Sequence, residues 1–186
     1  MFDTILHQLK NRAPHAPLFP TQVWDDSLSQ QILTADDAAL YDNDSGNDEQ
    51  REMRVACRAG LLLLNDDLES SHSLSQQIDT RTGAFWHSIM HRREADFSNA
   101  NHWLVKTGIH PAFDDAYTAA MCALLSANSP EANAFAQNLE DAGSWTPQEF
   151  VDLCSNANQQ NLEPEWLRQI QRAEMIALLD WCHERV

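Results

Sequence analysis

Apolar residues recur along this chain at helical spacing, and no stretch alternates convincingly as a strand would. Phe2, Ile5, Leu6 and Leu9 share one side of Phe2 to Arg12, which predicts a short amphipathic helix. The prolines of APHAPLFP predict an extended connector behind it. Val23 to Leu33 is periodic again, and Thr34 with Asp37 has the spacing of a capped start for a further short helix. DNDSGNDEQ, residues 42–50, reads as a polar loop. From about Glu52 to Gln77 the pattern predicts one long helix. Its GLLLL run covers every face of a turn, which places the element at the centre of the fold. Thr80 to Gly83 breaks it, and the next helix runs from Gly83 or Ala84 to Arg93. Asp96 is a natural cap for Phe97 to Thr107, which Gly108 stops, with Pro111 beyond. Asp114 to Ala127 follows. Ser129–Pro130 and Thr146–Pro147 are two further start signals, and Pro164 to about Glu184 is the last helix.

These elements predict an all-α, single-domain bundle of roughly eight helices around a central buried helix, about 52–77. Residues 1–50 would supply N-terminal helices and connectors, and 51–186 the core. The hexapeptide SLSQQI occurs at Ser27 and again at Ser73, but the flanks differ, so the match reads as chance and not as a repeat unit.

Charge narrows the partners. A net charge of −16 with twelve Lys and Arg disfavours nucleic acid and anionic membrane surfaces. MFDTILHQLK does not read as a signal peptide, and GLLLL is too short to span a bilayer. Cys57, Cys122, Cys154 and Cys182 form no C-x-x-C pair and sit in apolar helical contexts, which predicts buried free thiols and a cytoplasmic setting. With no Gly-rich phosphate loop, no nucleotide cofactor is expected. His102 and His110 read as loop or surface groups.

One segment concentrates the chemistry. In GAFWHSIMHRRE, taking His87 as zero, His91 falls near about 40° and Glu94 near about −20° on the helical wheel. Phe85 and Ile89 lie opposite, with Trp86 and Met90 between, so a narrow His-His-Glu stripe runs along a mostly apolar helix. Two imidazoles at i and i+4 can share a metal ion, although Ser88 stands where an H-E-x-x-H helix carries its glutamate. The preceding segment LESSHSLSQQ offers Glu69 and His72 at i and i+3, with Gln76 a turn further on, and the IDTRTG connector is short enough to fold the two segments antiparallel. A mononuclear site of His72, His87 and His91 is the metal-binding reading. Three neutral imidazoles suit divalent Zn, Fe, Ni or Cu. The competing reading is structural: a buried network in which Glu69 and Glu94 pair with Arg92, Arg93 or Arg58.

The run GAFWHSIMHRREADFSNANHWLVKTGIHPAF, with ESSHSLSQQI ahead of it, resembles a signature found in a set of bacterial and fungal proteins, W-H-G-I-M-H-R-R-E-x-D-x-x-N-x-x-Y-W ending in G-x-H-P. Trp86, His87, Ile89, Met90, His91, Arg92, Arg93, Glu94, Asp96, Asn99, Trp103, Gly108, His110 and Pro111 match it. Ser88 replaces the glycine, and His102 replaces the aromatic before the tryptophan. The likeness brings no activity with it. More loosely, the arrangement is similar to metal-binding helical bundles of the DinB type, which take one histidine from one helix and an H-x-x-x-H pair from another.

Three functional expectations follow. In the first, the chain is a small-molecule enzyme, hydrolase- or lyase-like, with a metal on His72, His87 and His91. Glu94 or Glu69 is its general base, Arg92 or Arg93 orients an anionic or sugar-like substrate, and Gln76, Trp86, Asn99 and Trp103 form the pocket. In the second, the same groups make a metal-free acid–base pocket for a polar metabolite. In the third, the chain is a non-enzymatic acidic interaction protein.

Overall fold

The computed structural model describes residues 1–41 and 45–186. Residues 42–44 of the expected polar loop lie outside the described residues. The protein is all-α, with eleven helices and no strand among the described residues. In chain order they are α1 (Phe2–Lys10), α2 (Asp26–Thr34), α3 (Asp37–Tyr41), α4 (Asp48–Leu64), α5 (Leu68–Ser75), α6 (Arg81–Arg93), α7 (Phe97–Thr107), α8 (Phe113–Leu124), α9 (Pro130–Ala142), α10 (Pro147–Gln159) and α11 (Glu165–His183).

The expected long central helix is two helices. α4 ends at Leu64, Asp66 turns left-handed at φ 62°, and the Asp67 carboxylate caps α5 by accepting from the Ser70 N–H. A tertiary clamp fixes this corner. Asp66 is ion-paired with both Arg12 and Arg93, and Asn65 donates to the Asp25 carbonyl and the Ser29 hydroxyl. Other boundaries shift less. Thr34 ends α2, donating to the Gln30 carbonyl, and Asp36 is the side chain that accepts from Ala39 N–H in the first turn of α3. The expected caps Asp96 and Ser129 each accept a first-turn N–H. The two SLSQQI copies differ in conformation: the first lies within α2, while the second runs out of α5 into a turn.

α6 is buried from Thr82 to Arg93, with α4, α5 and α7 packed against it. α11 packs on α4 and α8. Where α4 meets α6, the six-membered ring of Trp86 packs against Gly60; a Cβ there would sit 2.6 Å from the indole. Cys57, Cys154 and Cys182 are buried free thiols, as expected, but Cys122 is exposed. No helix among the described residues is long and apolar enough to cross a membrane.

Candidate metal centre

Three histidines converge where α5 and α6 meet. Helical spacing puts His87 and His91 on one face of α6, with ring centroids 5.9 Å apart. The chain reverses between α5 and α6 and brings His72 within 5.0 Å of His87 and 5.2 Å of His91. Gly83 permits the reversal, because a Cβ there would fall 2.1 Å from the Ile78 carbonyl oxygen. The buried Ser71 hydroxyl donates to the Ala59 carbonyl at 2.9 Å, which holds α5 against α4.

One ring nitrogen from each histidine lies within 4.8 Å of the other two. Three atoms that close share a point no farther than about 2.8 Å from each, against about 2.0–2.1 Å for a zinc–imidazole bond. Ring movements of less than about 1 Å would close the difference.

His87 is 2% exposed, and neither of its ring nitrogens makes a hydrogen bond of normal geometry. Its pKa is pushed down to about 4, first by burial and then by the neighbouring His72 and His91, opposed by a weak contact with the Gly83 backbone. His72 is lowered by burial and by His91, with Glu94 acting against them. His87 is thus neutral at pH 7, with a lone pair to give.

Neighbours set the other two rings. Glu94 Oε2 lies 3.2 Å from His91 Nδ1, which therefore donates and leaves Nε2 with the free lone pair. Gln76 donates its amide to His72 Nε2 at 2.7 Å. That amide competes for the lone pair, but Gln76 is exposed and can rotate away. Trp103 of α7 stacks on His87 at 4.1 Å and 14°. A cleft of about 580 Å³ opens beside His87, the one histidine of the three that lines it, and is walled by Ser75, Gln76, Ile78, Asp79, Thr80, Arg81, Ala84, Trp103 and Lys106.

Other expected site residues lie elsewhere. Arg92 and Arg93 are sealed from solvent and cannot meet a substrate. Arg92 pairs with Glu174 at 2.5 Å and lies over Phe150, while Arg93 pairs with Asp66 at 2.5 Å and donates to the Leu63 and Pro17 carbonyls. Trp86 is core, packed on α4, and does not wall the cleft. Asn99 is an exposed first-turn residue that donates to Asp96 and does not line the cleft. Glu69 is exposed on α5, and no hydrogen bond or ion pair ties it to the histidines among the described residues. Neither glutamate pairs with an arginine: the partners of Arg92 and Arg93 are Glu174 and Asp66, and that of Arg58 is Asp37. His110 is buried rather than a surface group. Its Nδ1 accepts from Ala112 N–H, so its Nε2 donates to Thr82.

The cleft's two cations, Arg81 and Lys106, had no part in the sequence expectation. Lys106 follows Trp103 at i+3, a spacing that places both on one side of α7. The chain matches no protein-family model, no curated protein and no solved structure.

Proposed function

We propose that this protein holds one divalent transition-metal ion on His72, His87 and His91, and uses it on a small polar substrate entering through the adjoining cleft. The observation that carries this reading is His87: a buried imidazole whose two nitrogens both lack a hydrogen bond of normal geometry, one of them beside two further ring nitrogens. Burying a polar group without a partner costs about 1–3 kcal/mol, and coordination would offset that cost. When bound, the metal supplies Lewis acidity, able to activate water or polarise a substrate oxygen. Glu94 fixes the His91 tautomer, and Trp103 fixes the His87 ring plane. Gln76, exposed at the cleft wall, presents its amide to the substrate.

The test is metal content. Protein purified without chelator is expected to carry close to one equivalent of Zn, Fe, Ni or Cu, or to take up one on titration. A folded His87→Ala/His91→Ala double variant should take up none. Wild-type protein that binds none of these ions at micromolar concentration would overturn the reading.

A further inference from the structure

Most cations in this chain are already spoken for. Acidic residues outnumber Lys and Arg by 28 to 12, and nine of the twelve cations form ion pairs. Among the described residues the three without one are Arg81, Lys106 and Arg172. Arg172 is half-buried and donates to the Lys10 carbonyl. Arg81 and Lys106 come from different helices, both are exposed, and both line the cleft that ends at His87.

We propose that this cleft takes a small anion, whose carboxylate or phosphate group is held between Arg81 and Lys106. The inference rests on reading the cleft as the entrance to the metal centre. Arg81 is the first residue of α6, where a cation meets the positive end of the helix, and no acidic side chain in that turn offsets it. The Thr80 hydroxyl does not cap the helix either; it donates to Glu52 at 2.8 Å. Arg81 is instead steadied by donating to the Ile109 carbonyl at 3.2 Å. Lys106 lies 3.9 Å from the Trp103 ring centre, so the indole that stacks on His87 also places the ammonium. Asp79 shares the rim but pairs with neither cation. An anion bridging the two would complete the charges of this rim, with the rest of the molecule directed toward His87. The cleft's volume of about 580 Å³ falls in the range of metabolite pockets.

The probes are inorganic phosphate and malonate, titrated into cobalt-loaded protein and followed by calorimetry and by the visible cobalt spectrum, with glycerol as the neutral control. Wild-type protein should bind at least one of the two anions and ignore glycerol. Whichever anion binds names the group. An Arg81→Gln/Lys106→Met variant should keep its cobalt spectrum and its melting temperature and bind that anion at least tenfold more weakly. Cobalt bound with neither anion bound, or with the anion bound equally by the double variant, overturns this proposal and leaves the metal reading standing. If cobalt does not bind, the metal reading is decided by the Zn, Fe, Ni and Cu titration, and calorimetry on the protein alone decides the anion by the same tenfold criterion.

Discussion

The two sides of α6 bury polar groups in opposite ways. On one side Arg92 meets Glu174, which also accepts from the Trp145 indole at 3.0 Å, and Arg93 meets Asp66 and two carbonyls. On the other side His87 is also buried but borders the cleft, and its ring makes no hydrogen bond of normal geometry. His110 makes the same contrast within one residue type, since both its nitrogens are hydrogen-bonded. A buried polar side chain held by ion pairs or hydrogen bonds is explained by the fold, even where, as in Arg92 and Arg93, the Nε atom makes no hydrogen bond. One held by neither costs stability and invites a ligand to explain it. On that criterion the arginines, despite their place beside the histidines in sequence, belong to the scaffold.

The largest expected effect tests the scaffold side. Glu174→Met leaves the Arg92 guanidinium buried beside no charge and removes the indole's acceptor. Breaking a buried pair in this way costs about 3–5 kcal/mol, readable as a lower urea midpoint. Metal uptake by the folded fraction should not change, because Glu174 touches none of the three histidines. A loss below about 1 kcal/mol would remove the distinction between the two sides.

The next comparison sets the two histidines against each other. His110→Leu gives up two hydrogen bonds and strands the Ala112 N–H, for an expected loss of about 1–3 kcal/mol. His87→Leu removes an imidazole that had no partner, so stability should hold or rise while metal uptake disappears. Acid sharpens the pair. Burial holds both His87 and His110 down at about 4, below the ordinary unfolded value near about 6.5. As pH falls, the unfolded chain takes up protons before the folded one can. Stability is therefore complete above about pH 6.5 and is lost down to about pH 4, by about 3 kcal/mol for each ring. Either leucine variant should flatten that slope. Urea melts at several pH values that keep the full slope in both variants would place the acid sensitivity elsewhere.

What the sequence disclosed depended on whether the deciding force was local. Asp96 announces the α6–α7 corner because its cap, the following periodic run and Gly108 all lie within a dozen residues. The α4–α5 corner is built the same way: Asp66 and Ala95 both adopt positive φ, and Asp67 and Asp96 each follow as cap. It escaped notice because apolar periodicity continues on both sides, and what selects the break is a pair of distant arginines, Arg12 and Arg93, closing on Asp66. At the site, the i,i+4 spacing of His87 and His91 and the short connector after His72 were legible. Pointing Arg92 and Arg93 at a substrate ran against a signal already present, since the helical wheel puts them about 140° and about 240° from His87. Arg81 and Lys106 were harder to find. Being unpaired is a property of the folded surface, and no spacing encodes it.

The smallest effect concerns Glu94, where the two kinds of polar neighbour meet at one residue. Its side chain is 40% exposed, so its contact with His91 contributes little to folding, and Glu94→Gln should change stability by less than about 0.5 kcal/mol. The same change removes the charge that holds the His91 Nδ1–H and so leaves the lone pair on Nε2 for the proposed metal. Partners of this kind govern metal affinity by about 10–100-fold when removed. Glu94→Gln, which keeps an acceptor oxygen but no charge, should fall at the lower end, near tenfold, in competition with a chromophoric chelator. Glu94→Ala, which keeps neither, should approach the upper end. Equal affinities across the three proteins would mean that His91 finds its orientation from helix packing alone. The stripe of His87, His91 and Glu94 would then reduce to its two histidines.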